Sequence, residues 1–539
     1  MLPTFAASRT PAFAAFLASL LAASLLAATP AAWAKPFRFT SQGDFLTADP
    51  HAQNEGINNL LLYHVYERLT SRDKDLKLIP GLALSWEQPS PTVWRFRLRP
   101  GVKFHDGSPF TADDVVFSVE RAQSPTSNFK TYASRLGKAR RVDDLTVEFV
   151  TAKPTPILLE YVNSILVMSR AWSVKNGALR PQDFKNAEDT FASRNANGTG
   201  PYRFVSWEPE VKTVLREHPG WWGRAAGRFG GNVTEVTYRP IKSDATRMAA
   251  LVTGEVDFVL DPPVQDVSRL RANPAVRILE GPENRVVFLA MDQDRDELRH
   301  SNVKGKNPLK DLRVRQALAA AIDTEAIRAQ VMRGNAQPTG AMVPARVASA
   351  PELEPRAVPY DPARARKLLA EAGYPAGFEV QLLCPNNRYV NDERICTAIA
   401  AMWAKTGVKA SLSLLPRAQF FQRVDQVDLS IHLYGWGGAP TDPAITLGPL
   451  LHSYDGKGWG DFNSGRGKDA ELDRMIEAAD VEMDVAKRRQ ILLDALQRVR
   501  LQVYTIPLHR QVIPWAARKG VGVAHRADNF IEAQGITVP

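Results

Sequence analysis

The chain has 539 residues, with 68 lysines and arginines against 58 aspartates and glutamates, which gives a formal net charge of +10 at pH 7. Basic and acidic residues are interleaved along most of the chain. This argues against a nucleic-acid partner and favours a solvated surface with mild attraction for acidic ligands or lipid headgroups. The length exceeds what one hydrophobic core usually serves, so we expect two or three lobes.

The N-terminal segment has the features of an export signal. Arg9 precedes an almost unbroken apolar run at 12–28, and residues 32–34 (Ala-Trp-Ala) match a cleavage site. The alternative is a membrane anchor, but the run is shorter than the ~20 residues needed to span a bilayer. We predict a signal peptide over 1–34 and a mature chain from Lys35. No cysteine for lipid attachment lies at the cleavage site, so we expect a soluble periplasmic protein.

The first predicted elements are strands and one helix. Residues 37–39 begin a strand, and at 94–99 three apolar residues alternate with three arginines, which predicts a half-buried strand. Thr111 and Asp114 form a capping pair that starts a helix. A second alternating run at 145–149 suggests that this region forms its own small sheet.

A turn-rich segment at 197–202 starts a different region. It is followed by predicted strands at 202–207, 211–216 and 233–239, a helix capped by Ser243 and ended by Gly254, and a buried strand at 256–260. This β-α-β alternation favours a sheet covered by helices.

A charged segment at 292–310 is predicted to cross the surface between two lobes. Helices then alternate with strands: helices begin at Asp311, Asp361 and Asn391, strands lie at 378–384, 408–415 and 427–434, and a last helix at 491–499 leads into 504–508. This second lobe is therefore predicted to be α/β, and the tail is expected to return to the first lobe.

The only cysteines of the chain, Cys384 and Cys396, lie close together in the sequence. In an oxidising compartment they are near enough to form a disulfide. The alternative is a pair of buried thiols, and the sequence does not decide between the two.

The sequence lacks the common signatures of a secreted hydrolase. It has no Gly-x-Ser-x-Gly turn, no His-Glu-x-x-His and no phosphate-binding loop that ends in Lys-Ser/Thr. No two of its nine histidines are spaced to share one helical turn, so we expect no metal site, no cofactor and no catalytic residue. His432 and His452 keep some interest because they flank Gly435 and Trp436.

Several motifs, in order along the chain, resemble those of one protein family. The segment Trp94–Gly107 (WRFRLRPGVKFHDG), followed by 110–115 (FTADDV), closely resembles the signature of family 5 solute-binding proteins. These are the oligopeptide, dipeptide and nickel receptors of ABC importers. Further matches lie at 198–202 (GTGPY), 312–323 and 365–375, so the resemblance extends over nearly the whole predicted mature chain.

The resemblance implies a type II periplasmic binding protein: an α/β fold of two lobes, with mixed sheets flanked by helices and an inserted third subdomain. The implied segments are a signal peptide (1–34), lobe I (35–50, 198–285 and 509–539), the inserted subdomain of lobe I (51–197) and lobe II (286–508). A small solute would bind between the lobes of a monomer, and an ABC permease with a separate ATPase would recognise the closed form. No nucleic acid is implied.

The resemblance also points to site residues. Arg388, with Asn387 in the same strand-to-helix loop, lies where dipeptide binders hold the ligand carboxylate, and its alternative is a solvated loop arginine. Trp436 would stack on the ligand or else belong to the lobe core. Gly435 and Gly437 would let the ligand approach the main chain.

The acid that holds a ligand ammonium in dipeptide binders has no counterpart here, because Ala439 occupies its place. A buried ammonium without a partner costs several kcal/mol. Asp442 is a possible substitute, although before Pro443 it is also a typical turn residue.

We therefore predict a periplasmic receptor that captures a peptide or peptide-like solute for an ABC importer. One alternative keeps the fold and changes the cargo to a metal chelate, an opine or another small organic acid, in which case His432 or His452 would matter. A different class, a periplasmic hydrolase or chaperone-like factor, is the remaining alternative.

Overall fold

The computed structural model describes Met1, Pro3 and residues 35–348, 350–437 and 442–539. The predicted signal peptide lies outside these residues, except for Met1 and Pro3. Ala439, the residue in place of the expected acid, also lies outside them.

The strands of the described residues are short except for two. In chain order they are β1 (Pro36–Ser41), β2 (Thr70–Arg72), β3 (Leu78–Pro80), β4 (Ala83–Ser90), β5 (Val93–Leu98), β6 (Lys138–Asp143), β7 (Thr146–Val150), β8 (Tyr202–Glu208), β9 (Lys212–Glu217), β10 (Glu235–Pro240), β11 (Phe258–Val259), β12 (Val276–Met291), β13 (Ala336–Pro338), β14 (Glu379–Pro385), β15 (Lys409–Leu415), β16 (Ile431–Trp436) and β17 (Thr505–Arg518).

Helices cover the sheets. In chain order they are α1 (Gly56–Val65), α2 (Ala112–Ala122), α3 (Lys130–Ala133), α4 (Leu158–Val162), α5 (Arg170–Lys175), α6 (Phe191–Arg194), α7 (Trp222–Ala225), α8 (Asp244–Thr253), α9 (Val264–Arg271), α10 (Leu312–Ala320), α11 (Thr324–Ala326), α12 (Ala345–Ala348), α13 (Pro362–Glu371), α14 (Asp392–Ala404), α15 (Arg417–Asp425), α16 (Ala444–Leu451), α17 (Ala470–Val481) and α18 (Val485–Leu501). None of the helices in the described ranges is long and apolar enough to cross a membrane.

The main sheet is mixed and runs through the whole molecule. Its strand order is β15-β14-β16-β12-β17-β11-β1-β10-β9-β8, with β13 paired to β17. β14 pairs in parallel with β15 and β16, and β1 pairs in parallel with β10 and β11. β12 and β17 pair antiparallel with each other. The predicted α/β fold with mixed sheets is confirmed.

The long strands β12 and β17 join two halves of this sheet. We call the side of β1 and β8–β11 the first lobe and the side of β14–β16 the second lobe. Pairing between β12 and β17 is interrupted between Pro282 and Val286. The lobe boundaries predicted from the sequence, at 285/286 and 508/509, fall inside these two strands.

The predicted surface crossing at 292–310 is wrong, because the chain passes between the lobes inside β12. The charges of 292–310 pair locally on the second lobe instead: Arg295 binds Asp292, and Lys310 Nζ lies 2.8 Å from Asp296. The many charged residues of this segment therefore indicate a solvated loop.

A second sheet, with the order β4-β5-β7-β6, lies within the segment 51–197 that is predicted to form the inserted subdomain. Trp94, Phe96 and Leu98 are buried, as the alternation in β5 predicts, and the Phe96 ring packs 5.3 Å from that of Phe149. The subdomain also contacts the second lobe, where Arg135 lies 3.1 Å from Asp480.

The predicted strand at 427–434 begins only at Ile431. Val427 has a φ of 52° and ends the turn after α15. From Ile431 to Tyr434 every side chain is buried. Alternation therefore misplaces the strand, because β16 is covered on both faces.

Candidate ligand-binding site

A cavity of about 1240 Å³ lies between the two lobes. Its lining from the first-lobe side includes Glu55, Tyr63, Glu67, Arg68 and Phe530, and its lining from β12 and the second lobe includes Arg285, Asn387, Arg388, Tyr389, Gly435, Trp436 and Gly437. A cavity of this size, with aromatic walls and a few charged groups, suits a small organic ligand. Five of the six ligand residues predicted from the sequence line it.

The loop between β14 and α14 positions Arg388. Asp392, at the first turn of α14, accepts the backbone N–H groups of Arg388 and Tyr389 at 2.8 and 3.0 Å. Burial raises the pKa of Asp392 to about 6 and outweighs these hydrogen bonds, which lower it. Cys384, in β14, and Cys396, in α14, are joined in a disulfide that brackets the loop.

The Arg388 guanidinium faces the cavity without a counter-charge. Among the described residues, no carboxylate lies within ion-pair distance and no acceptor takes its side-chain N–H groups. Its nearest aromatic contact is the Tyr389 ring, 5.2 Å below the guanidinium carbon. Burial lowers the pKa of Arg388, and the neighbouring charge of Arg285 lowers it further. A bound anion would compensate this half-buried charge.

Asn387 is exposed at the edge of the cavity. Its Oδ1 accepts the backbone N–H of Arg417 at 2.8 Å, which ties the loop to the start of α15. Asn387 therefore supports the wall of the cavity, and its amide nitrogen is left to face solvent or ligand.

The two glycines of the Gly-Trp-Gly segment are explained by protein packing. A Cβ at Gly435 would lie 2.6 Å from the Tyr389 ring, and one at Gly437 would lie 2.7 Å from the Arg285 side chain. Glycine is thus required at these positions because the side chains of Tyr389 and Arg285 pack against the main chain there, and not because a ligand does. Trp436 is half-buried, with its ring 5.1 Å from that of Phe462, and forms part of the cavity wall.

Asp442 lies elsewhere, and we do not retain it as an ammonium partner. Arg488 of α18 binds both of its carboxylate oxygens, at 2.5 and 2.9 Å, and both side chains are largely buried. Asp442 also accepts the backbone N–H of Ala444 and so begins α16. Its charge is already neutralised inside the protein.

The two histidines of interest are outside the cavity lining. His432 Nε2 lies 2.8 Å from the Ser464 hydroxyl, and His452 Nε2 lies 3.1 Å from Glu477. Burial lowers the pKa of His432 to about 3, so it is neutral. Within the described ranges, no group of three or more His, Cys, Asp or Glu side chains is placed to hold a metal ion.

Four further charged residues of the cavity could not be identified from the sequence. Arg285 pairs with Glu283 at 3.1 Å, and Arg417 pairs with Glu55 at 3.0 Å. The second pair joins the lobes across the cavity. No motif marks these residues, because each is an ordinary charged residue until the fold brings its partner close.

Glu67 lies at the first-lobe end of the cavity. Its two oxygens accept the indole N–H groups of Trp222 and Trp221 at 2.8 and 3.2 Å. Burial raises the pKa of Glu67 to about 7 and outweighs these hydrogen bonds, which lower it. Its carboxyl group therefore exchanges a proton close to neutral pH.

Two lobes that share a sheet and enclose one polar, aromatic-walled cavity define the class of two-lobe solute-binding proteins. The family model described as "Bacterial extracellular solute-binding proteins, family 5 Middle" matches residues 77–458, and the chain belongs to this family. The predicted family is thus confirmed.

Several related proteins agree with this assignment. Glutathione-binding protein GsiB of Pectobacterium atrosepticum is 29% identical over 493 residues, which cover 89% of this chain and 90% of that protein. Heme-binding protein A of Haemophilus influenzae is 29% identical over 473 residues, covering 83% and 82%. The periplasmic binding protein DppA of Helicobacter pylori, in complex with the peptide STSA, has a TM-score of 0.80 at 21% identity and covers 94% of this chain and 98% of that chain. The two-lobe periplasmic binding protein fold is confirmed.

Proposed function

We propose that this chain is the periplasmic receptor of an ABC importer and that its cargo is a small, peptide-like solute with a carboxylate. The observation that carries the ligand class is the Arg388 guanidinium, which lines the cavity and has no acceptor among the described residues. A carboxylate can accept two parallel N–H groups from arginine, which gives both strength and orientation.

The surrounding wall supports the same ligand. Arg285 and Arg417 flank Arg388, and their own acids, Glu283 and Glu55, hold them in place. Because these two arginines are paired with their own acids, the charge of Arg388 is left without a carboxylate partner among the described residues, which favours an anion beside it by simple electrostatics. Tyr389 and Trp436 add aromatic surface for the apolar part of a ligand.

The ligands in the names of the related proteins share this chemistry. Glutathione and the peptide STSA end in carboxylates, and heme carries propionate carboxylates. A carboxylate-binding wall is therefore a feature that such different cargoes can have in common. It supports a carboxylate as the recognised group without naming the molecule.

A second candidate is a small organic acid without a free ammonium, such as an opine-like acid. It is favoured by the ion pair between Asp442 and Arg488, which removes the nearest substitute for the acid missing at Ala439. The two candidates differ in whether a free amino terminus is tolerated.

The test is calorimetric titration of the mature protein with Ala-Ala, N-acetyl-Ala-Ala and Ala-Ala-amide. We expect N-acetyl-Ala-Ala to bind and Ala-Ala-amide to fail. Arg388→Gln should weaken the binding of the carboxylate peptides by at least about tenfold, since a charge-assisted hydrogen bond contributes about 1.5–3 kcal/mol. Arg388→Lys should recover part of the affinity.

The control is Arg474→Gln, which removes an exposed arginine that does not line the cavity. It should leave affinity unchanged, whereas a loss equal to that of Arg388→Gln would mean that only the overall charge matters. Binding of the amide as tightly as the acid would refute the carboxylate assignment. Tight binding of free Ala-Ala would show that another group holds the ammonium.

The receptor function predicts delivery without chemical change. We expect the peptides to be recovered intact after prolonged incubation with the protein, because no catalytic motif accompanies the cavity. Steady turnover that a single substitution abolishes would instead support a periplasmic hydrolase. Export of a fusion to the periplasm, with cleavage before Lys35, would test the location.

A further inference from the structure

Arg68 is a second arginine of the cavity that forms no direct ion pair with a carboxylate of the described residues, and it lies on the first-lobe side. It follows α1, and it lines the same cavity as Arg388. Its guanidinium lies 4.0 Å above the Tyr63 ring, which in turn stacks on Phe530 with ring centroids 5.1 Å apart. This stack fixes the orientation of the charge before any ligand binds.

The guanidinium of Arg68 has N–H groups to spare. Nη1 donates to the carbonyl oxygen of Asn163 at 3.2 Å, and no other side-chain N–H of Arg68 meets an acceptor among the described residues. An arginine carries five such donors. The other four therefore have no acceptor among the described residues and are available to solvent or to a bound anion.

The acids near Arg68 are occupied by other arginines. Glu160 lies 2.6 Å from Arg72, and Arg526 contacts both Asp528 at 2.8 Å and Glu532 at 3.1 Å. Burial lowers the pKa of Arg68, and the neighbouring charge of Arg72 lowers it further. Arg68 thus lies near these acids without a direct ion pair to any of them, so its free N–H groups remain available to a ligand.

We propose that Arg68 binds a second anionic group of the cargo, so that the preferred solute carries two anionic groups, one held by each lobe. Arg388 takes one from the second lobe, as in the proposed function on which this inference rests, and Arg68 takes the other from the first lobe. A dianionic solute would contact both lobes at once and so favour the closed arrangement. Arg68 is then a specificity-determining residue.

The test compares peptides that differ only in one charge. N-acetylated Ala-Glu and Ala-Gln, and N-acetylated Ala-Glu-Ala and Ala-Gln-Ala, are titrated into the wild type, Arg68→Gln, Arg68→Lys and Arg474→Gln. Glu and Gln have nearly the same shape, so the ratio of their affinities isolates the second carboxylate. The two pairs offer two spacings between the anionic groups.

We expect the wild type to prefer the Glu peptide of at least one pair by about tenfold or more, in line with one charged hydrogen-bonding contact. Arg68→Gln should abolish this preference, because it should weaken the binding of the Glu peptides far more than that of the Gln peptides. Arg68→Lys should keep part of the preference, and Arg474→Gln all of it. The melting temperature of each ligand-free variant shows whether the fold is retained.

The remaining outcomes count against the inference in separable ways. If Arg68→Gln weakens Glu and Gln peptides equally, Arg68 acts through structure or overall charge and the inference is wrong. If the wild type binds both peptides of each pair equally well, no second anionic subsite exists, although the proposed function stands. If no carboxylate peptide binds the wild type, both fail together.

Discussion

Arginines that the sequence alone does not distinguish have different roles in this protein because their partners differ. Arg388 and Arg68 line the cavity without a carboxylate partner, whereas Arg488 holds both oxygens of Asp442. The first kind is available to a ligand, and the second kind is committed to the fold. At the residue scale, function is therefore decided by which charges remain after internal pairing.

Asp442→Asn distinguishes a structural acid from a ligand-binding one. The substitution should lower the free energy of unfolding by about 3 kcal/mol, because it leaves the buried Arg488 charge without its partner. Ligand affinity should change less than about twofold. Chemical denaturation and calorimetric titration on the same variant give both numbers.

As a matched control, Asp296→Asn breaks a pair whose carboxylate is fully exposed. It should change stability little, because exposed pairs contribute little. A large loss of affinity in Asp442→Asn at unchanged stability would return Asp442 to the binding site.

At the scale of elements, the loop between β14 and α14 is fixed at both ends. The Cys384–Cys396 disulfide joins the strand to the helix, and Asp392 binds the loop backbone from inside. Asn391 starts the helix in the left-handed region with a φ of 56°, and its side-chain amide donates to the carbonyl of Val331. Arg388 is thus presented by a rigid loop, which limits the entropy lost on binding.

Cys384→Ser/Cys396→Ser should therefore lower both stability and affinity. The closed loop is short, so the chain-entropy estimate gives about 3 kcal/mol for the free energy of unfolding. We expect affinity for N-acetyl-Ala-Ala to fall several-fold as Arg388 gains freedom. Intact mass with and without reductant tests whether the disulfide forms in the purified protein.

Reductant added to the double variant is the control, since it has no bond left to break there. Equal affinity of the wild type and the double variant would show that Asp392 alone holds the loop. The idea that the disulfide supports the binding loop would then be wrong.

At the scale of the whole molecule, the ion pair between Arg417 and Glu55 is a bridge from one lobe to the other. Glu55 is also the cap of α1, because its carboxylate accepts the backbone N–H of Ile57 at 3.0 Å. The pair lies beside the cavity, so we expect it to favour the arrangement in which a ligand is enclosed. Its partial exposure limits its strength.

Arg417→Gln should speed ligand release. It removes the bridge and leaves the Glu55 cap intact, so stability should change little while the dissociation rate rises about threefold, as expected for a partly exposed pair. Stopped-flow displacement of a bound peptide measures the rate. Arg417→Lys should keep most of the slow release, and an unchanged rate in Arg417→Gln would mean that the bridge does not stabilise closure.

The sequence predicts the parts of this structure that depend on neighbouring residues. The alternation at 94–99, the Thr111–Asp114 cap and the helix between Ser243 and Gly254 are local patterns, and each is confirmed. The start of β16 and the crossing between lobes depend on what distant segments cover, and both predictions are wrong. The ion pairs within the site also join residues that are distant in the sequence, so local patterns do not predict them.

Arg388 and Asp442 show this difference most directly. The resemblance placed Arg388 in a loop between a strand and a helix, and this loop lines the cavity. The partner of Asp442 comes from α18, 46 positions further along the chain, and no spacing rule connects them. The charge balance of the site therefore became clear only when all of its ion pairs could be counted.

The shared sheet also has a consequence for how the protein loses its structure. Because β12 and β17 contribute hydrogen bonds and apolar side chains to both lobes, neither lobe has a complete hydrogen-bonded sheet or core by itself. Unfolding of one lobe would remove strands that the other lobe needs for its sheet. The cleft therefore separates the lobes in space but does not make their stabilities independent. We therefore expect the two lobes to unfold as one cooperative unit.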